Sequence, residues 1–351
     1  MSKTRRVKIG DLYIGGGEDI AVQSMTTEYT ADVGKTVAQI KSLEKRGCDI
    51  VRVAVPDEAS AEAIFDIKSR IDIPLVADIH FDFRLALTAM ERGVDKIRIN
   101  PGNIGGEDRA KLVAEEAKRR GIPIRIGVNG GSLDKKLLEK YGSATPEAMV
   151  ESAMQHVKIL EKYNFYDTVI SIKSSDVLKT IAAYRLASET FDYPLHLGVT
   201  EAGTYEGGIV KSSIGIGSLL ADGIGDTIRV SLTDDPNLEV DAGKEILRAL
   251  GLLKNTIQVV SCPTCARCRI NLIPIAKEVT NRLRGVEGNL KVAVMGCAVN
   301  GPGEARDADI GIAGGMGEAL LFKKGEIVAK IPEDSIIETL MQEIEKMKGN
   351  F

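Results

Sequence analysis

Tryptophan is absent from the 351-residue chain, and Phe and Tyr together supply only 4% of it. So few rings argue against a base-stacking platform for single-stranded nucleic acid. The formal charge is −4 and no basic tail or stripe stands out, so no nucleic-acid partner is expected. No apolar run is long enough to span a bilayer. The first residues, MSKTRRVKIGDLYIGG, lack the apolar core of a signal peptide. A cytoplasmic protein without a membrane partner is therefore expected. Cysteine is scarce too, with five residues in all, and three of those fall within seven positions in CPTCARC at 262–268. In a reducing compartment such clustering points to a metal or redox site rather than a disulfide framework.

What the chain does contain is a long alternation of β-branched runs and amphipathic stretches. Candidate strands are 21–25, 50–55, 75–80, 96–100, 123–129, 168–173, 195–200 and 227–232. Between them lie segments such as VGKTVAQIKSLEKRG, where Val33, Val37, Ile40 and Leu43 share one helical face. Gly47, Gly93 and Gly121 sit where helices would end before the next strand. Eight such units predict an α/β fold, a TIM-type (β/α)8 barrel over residues 1–250, with an open doubly wound sheet as the alternative. After Leu250 the rhythm changes to a linker, IQVVS, the cysteine cluster, a helical segment, KVAVM, a hairpin ALLFKKGEIVAK and a helix from about Glu333. Residues 257–351 are expected to form a second α/β domain.

The barrel strands carry charge in a regular place. In IVRV, Ile-Arg-Ile at 97–99 and 124–126, and Ile-Arg-Val at 228–230, an arginine stands between two branched apolar residues. Side chains alternate along a strand, and the branched residues suit the helix-covered face. Arg52, Arg98, Arg125 and Arg229 should therefore project into the lumen. The same parity places Asp78, His80, Asn100, Asn129, Ser171, Lys173, His196, Thr200 and Ser231 inside, mostly near C-terminal strand ends, where active sites of this fold lie. Four arginines and a lysine with so little counter-charge predict a polyanionic ligand, since guanidinium forks match phosphate oxygens. An internal ion-pair network with loop carboxylates is the competing arrangement. Glycines, serines and Lys211 in the segments 201–220 and 221–231 are expected as loops near strands seven and eight, where phosphate sites often form.

Cys262, Cys265 and Cys268 are followed by Cys297 in VMGCAVNGPGEA. Cysteines at C-x2-C spacing can reach one metal centre, but spacing alone fits both tetrahedral zinc and an iron–sulfur cluster. Cys48, in KRGCDIV, is expected to be a small buried apolar residue, and His156 to lie on a helix surface.

Taken together, CPTC, VMGCAVNGPGEA, RVAVP, ADIHFD, KIRINPGN, RIGVNGGSL, HLGVTEAG and KSSIGIGSLL resemble the bacterial 4-hydroxy-3-methylbut-2-enyl diphosphate synthase family over essentially the whole chain. The resemblance implies a barrel that binds 2-C-methyl-D-erythritol 2,4-cyclodiphosphate and a C-terminal domain carrying one [4Fe–4S] cluster. It implies two-electron reductive ring opening with loss of water, and reduced flavodoxin or ferredoxin as the donor. Cys262, Cys265 and Cys297 fall on the family's cluster cysteines, and Glu304 on its carboxylate ligand. Cys268 departs from the family pattern; a helix starting near Ala266 would turn it away. Glu201 is the expected proton donor, with Asp78, His80 and His196 behind it. Arg52, Arg98, Asn100, Arg125, Asn129, Lys173, Lys211, Arg229 and Ser231 would hold the substrate. The resemblance also implies a head-to-tail homodimer. A zinc-stapled aldolase- or pteroate-synthase-like barrel and a cluster-bearing sensor are the alternatives.

Overall fold

The computed structural model describes residues 4–298 and 307–348, and the chain divides into two units, Met1–Leu252 and Leu253–Phe351. In the first, a short antiparallel hairpin, β1 (Val7–Ile9) and β2 (Leu12–Ile14), precedes eight parallel strands. These are β3 (Ala21–Met25), β4 (Ile50–Ala54), β5 (Leu75–Asp78), β6 (Lys96–Ile99), β7 (Ile124–Asn129), β8 (Thr168–Lys173), β9 (His196–Leu197) and β10 (Thr227–Ile228). Each but β8 pairs with its successor or, for β10, with β3. The ring is completed between β8 and β9 by the Ile170–Leu195 bridge and by Ile170 N donating to Pro194 O at 2.9 Å. The expected (β/α)8 barrel is the fold observed. Its last two strands are shorter than the sequence pattern suggested.

Two devices recur. Several helices after the strands open on a carboxylate N-cap. Asp32 caps α1 (Val33–Lys45), Asp57 caps α2 (Glu58–Lys68), Asp82 caps α3 (Phe83–Glu91) and Asp176 caps α7 (Val177–Thr190). Each side chain accepts an orphan N–H of the first turn, a contribution of about 1 kcal/mol. At the other end of the barrel, an aspartate just before a strand accepts the N–H that opens the neighbouring one. Asp49 accepts from Val22 N at 2.7 Å, Asp95 from Leu75 N at 2.7 Å and Asp226 from Leu195 N at 2.8 Å. These carboxylates lock strand register where one slipped residue would exchange lumen and outer faces.

Below the strands the hairpin forms a floor. Val7, Ile9 and Ile14 pack against Ala21, Ile50, Val76 and Val169, all buried. The remaining helices are α4 (Glu107–Arg120), α5 (Lys135–Tyr141), α6 (Pro146–Lys162), α8 (Tyr205–Ala221) and α9 (Pro236–Ala249). The glycine-rich segment expected as loop is largely the helix α8. Its glycines serve close packing. A Cβ at Gly215 would lie 2.6 Å from Val199 Cγ2, and one at Gly208 2.5 Å from Leu232 Cδ2.

The second unit is a five-stranded mixed sheet, β11 (Ile257–Ser261), β12 (Leu290–Met295), β13 (Ile310–Gly314), β14 (Glu318–Lys323) and β15 (Glu326–Pro332), in that spatial order. Helices α10 (Leu272–Leu283) and α11 (Ile336–Lys348) bury Ile275, Val279, Leu283, Leu340 and Ile344 against Val292, Val294, Ile310 and Ile312. Asp309 repeats the register device, accepting from Lys291 N at 2.8 Å. The final helix starts after a 3-10 turn at Glu333–Ser335, three residues later than expected. No described helix is long and apolar enough to cross a membrane.

Candidate functional site

At the C-terminal ends of the barrel strands a cavity of about 140 Å³ is lined by the inward residues of seven of the eight strands and their ends. Arg52, Arg98, Arg125, Lys173 and Arg229 supply its charge, with Asp78 and His80. Asn129, Ser171, Thr200 and Ser231 complete the lining. Parity along each strand thus gathers residues far apart in sequence onto one small volume.

Asp78 organises one side. It is buried, accepts from Arg98 Nη1 at 3.2 Å and faces Arg52 Nε at 3.8 Å and His80 Nε2 at 3.5 Å. Burial by itself would raise its pKa. Arg52, the His80 contact, Arg98 and Arg125 outweigh burial and hold it well below the usual carboxylate range. On the other side Arg229 meets Glu239, a residue of α9 that is 3% exposed. Glu239 also accepts from Ser24 Oγ and Leu232 N, both at 3.0 Å. Met25 Sδ lies 2.9 Å from Arg52 Nη2.

The ion-pair network therefore exists, but it is incomplete. Among the described residues no carboxylate lies within ion-pair distance of Arg125 or Lys173, and Arg125 leaves Nε and Nη1 without a hydrogen-bond partner. Burial, Arg52 and Arg98 all act against the charge on Arg125, yet a guanidinium does not surrender its proton in proteins. An arrangement of this kind is stabilised by an anion.

Two glycines make the room. A Cβ at Gly127 would lie 2.5 Å from Arg98 Nε, and one at Gly198 2.5 Å from Lys173 Nζ. Both occupy inward positions, where a side chain would displace the cation.

Other expected residues lie elsewhere. Asn100 does not line the cavity; its Oδ1 accepts from Gly127 N at 3.0 Å and fixes β7. His196 is wholly buried deeper in the lumen, its Nδ1 2.8 Å from Thr227 Oγ1. Burial first, then Arg125, keep it neutral. Lys211 is exposed on α8 and Glu201 is exposed beyond β9. Glu201 adopts a left-handed φ of 52°, a conformation a side chain with a Cβ rarely takes. His156 is half-buried rather than superficial. Gly102 N donates to its Nδ1 at 3.1 Å, and burial lowers its pKa to about 4. Lys96 and Glu239 escaped the sequence pattern, although Lys96 shares the parity of Arg98.

In the second unit, Cys262 follows β11 and Cys297 follows β12. The pairing of Ser261 with Val294 brings both to one edge of the sheet. Gly296 N donates to Cys262 Sγ at 3.2 Å. Cys268 is not on a helix, since α10 begins at Leu272. Instead of turning away it packs against this loop, so closely that a Cβ at Gly296 would lie 2.6 Å from its Sγ. Cys265 is exposed, and Cys48, in the barrel, is buried with its thiol pKa pushed up to about 12 by burial. None of the five is in a disulfide. Among the described residues no three Cys, His, Asp or Glu converge tightly enough to hold a single ion. Glu304 lies outside the described residues. The donor chemistry fits an iron–sulfur centre, with thiols at one sheet edge and a main-chain N–H directed at a sulfur.

Comparison with known proteins gives the same division. A family model described as the GcpE TIM-barrel domain matches residues 4–244, and one described as the GcpE protein C-terminal domain matches 258–346. The 4-hydroxy-3-methylbut-2-en-1-yl diphosphate synthase (flavodoxin) of Caldanaerobacter subterraneus subsp. tengcongensis is 63% identical, covering 98% of this chain and 97% of its own. The protein of the same name from Ruminiclostridium cellulolyticum is 60% identical over 99% and 98%. Among solved structures, dihydropteroate synthase from Stenotrophomonas maltophilia superposes with a TM-score of 0.52 at 14% identity, covering 71% of this chain and 98% of that one. That likeness concerns the barrel fold alone. Matched in both units and at high identity along nearly its whole length, the chain belongs to the GcpE family.

Proposed function

We infer that this chain catalyses the reductive ring opening of 2-C-methyl-D-erythritol 2,4-cyclodiphosphate to (E)-4-hydroxy-3-methylbut-2-enyl diphosphate and water, a step of non-mevalonate isoprenoid synthesis. The reaction consumes two electrons and two protons, and reduced flavodoxin is the donor in this reading, in keeping with the word flavodoxin in the relatives' name. The observation that carries the reading is the surplus of buried cations at the barrel mouth. Arg52, Arg98, Arg125, Lys173 and Arg229 line one cavity that contains a single carboxylate, Asp78.

In this reading Arg125 and Lys173, which no carboxylate neutralises, take the diphosphate most directly. Arg52, Arg98 and Arg229 are held in place by Asp78 and Glu239 and are oriented before the ligand arrives. Asn129, Ser171, Thr200 and Ser231 supply short polar contacts that fix the orientation of the ring. When the carbon–phosphate bond opens, the charge gathering on the diphosphate is already matched by these groups. Glu201 is the assigned proton donor at the mouth, with Asp78 and His80 as charge-setting neighbours. Cys262, Cys265 and Cys297, with Glu304 as the oxygen ligand implied by the family motif, would hold a [4Fe–4S] cluster, which would supply electrons singly. A head-to-tail homodimer and a cytoplasmic location complete the proposal.

Anaerobic purification followed by iron determination and a turnover assay with the cyclic diphosphate and reduced flavodoxin tests it. The expected result is a brown protein with about four irons per chain that forms the allylic diphosphate. A colourless zinc protein without turnover overturns it. Glu304→Ala should keep its iron-binding thiols while turnover is lost; unchanged turnover removes the role given to that carboxylate.

A further inference from the structure

Deeper than the cavity, the lumen holds polar groups that the proposed chemistry does not use. Lys96 opens β6 and is wholly buried. Among the described residues its amine has one hydrogen-bond partner, Gln23 Oε1 at 3.5 Å, a neutral acceptor at the long limit of a hydrogen bond. Gln23 and His196, both buried, each leave an Nε2 without a partner.

The charges facing Lys96 are mostly of its own sign. Arg125 on β7 and Arg52 on β4 act on it as cations, and His196 on β9 is neutral. Lys173 on β8 is pushed the same way as Lys96, by burial first and then by Arg125, Arg229 and Arg52. Asp78 on β5 is occupied by Arg52 and Arg98, Glu239 on α9 by Arg229, and Asp226, just before β10, by Leu195 N and Thr4 Oγ1. The guanidiniums keep their protons, so the crowding is relieved at an amine. Lys173 lines the cavity and meets any anion there, whereas Lys96 is sealed beneath it.

We propose that Lys96 is a proton-binding site coupled to the anion cavity, taking up a proton when a diphosphate seats among the arginines and releasing it when the anion leaves. Before binding, burial first and then Arg125 and Arg52 hold the amine well below its usual pKa, which favours its uncharged form. A diphosphate brings several negative charges to the same arginines, reverses the sign of the local field and restores the ammonium. The proton then adds a counter-charge that no direct contact provides. Between the two pKa values of Lys96, affinity should fall by up to about tenfold per pH unit as pH rises, since the bound form holds a proton that the empty form lacks. The inference rests on the reading of the cavity as a diphosphate site.

The test is calorimetric titration of the cluster-loaded, full-length protein with inorganic diphosphate at pH 8, in buffers of different ionisation heat. Wild type is compared with Lys96→Met, so that ionisation of the ligand cancels. Wild type should take up about one more proton per site than the variant. Equal proton counts, with both proteins binding, overturn the coupling while leaving the diphosphate site intact. Absence of binding by wild type overturns the cavity reading and the coupling with it. Should Lys96→Met not fold, the wild type labelled with 13C at lysine Cε serves instead. One lysine signal at the neutral-amine position should move to the ammonium position when diphosphate is added. If every lysine is already an ammonium before the addition, the proposal is wrong.

Discussion

Arg229 Nη2 and Glu239 Oε1 lie 3.3 Å apart, joining a guanidinium at the barrel mouth to a buried carboxylate in the first turn of α9. Glu239 also carries Ser24 and Leu232, so one side chain fixes β3, the strand-end loop after β10 and the cation between them. Removing it leaves an uncompensated buried charge. Glu239→Ala should destabilise the protein by about 3–5 kcal/mol, read as a lowered urea midpoint. A loss below about 0.5 kcal/mol, the range of an ordinary surface substitution, would show that Arg229 finds another partner.

Arg125 presents the opposite case, a charge kept without a counter-ion. Arg125→Met should stabilise the ligand-free protein by about 1–3 kcal/mol, as replacement of buried ionic groups by apolar ones often does. The same variant should bind inorganic diphosphate about 10–100-fold more weakly, the worth of a charged hydrogen bond. Thermal melts and calorimetry on one preparation measure both. A variant that is less stable and binds equally well would remove Arg125 from the anion site.

The inward glycines make a sharper test, because they carry no chemistry of their own. Gly127→Ala places a methyl 2.5 Å from Arg98 Nε and must move that guanidinium. Diphosphate affinity should fall about tenfold or more, with circular dichroism unchanged. The same substitution at Gly131, where no atom lies within 4 Å of the added Cβ, serves as the control and should bind normally.

His156 sets a pH dependence of stability. Its Nδ1 must be unprotonated to accept from Gly102 N, and burial lowers its pKa to about 4 against an ordinary 6.5. The unfolded chain therefore binds a proton that the folded one refuses. Stability should be full above pH 6.5 and decline as pH falls toward about 4, then stop declining from this source. His156→Gln, which keeps an acceptor but does not titrate, should flatten that limb in urea titrations. An unchanged slope would assign it to other groups.

Asp95→Ala examines the register device. Leu75 N would lose its acceptor inside the barrel, and the expected cost is about 1–3 kcal/mol. Asp95→Asn, which retains a carbonyl oxygen, should recover part of it.

Much of this site was visible in the sequence because a strand has a period of two. Arg52, Arg98, Arg125 and Arg229 stood between branched residues, and parity alone sent them inward. The same rule would have reached Lys96, but a lysine opening a strand resembles an ordinary flanking charge. Glu239 was hidden for a different reason. On a helix a carboxylate is usually solvated, and only the turn that brings α9 back over β10 buries it. Lys211 and the glycines of 203–217 suggested a loop because composition does not report how near a helix must approach its sheet. Cys268 depended on where α10 begins. That helix begins at Leu272 rather than near Ala266, and about six residues separate a thiol that points away from one that rests on Gly296.

The hairpin β1–β2 has a consequence for turnover. With Val7, Ile9 and Ile14 stoppering the lower rim, the lumen is a blind well. Spent diphosphate must depart by the opening through which its replacement arrives. Accumulated product should therefore compete with substrate, and deleting the stopper would open a drain to solvent instead of a second binding face.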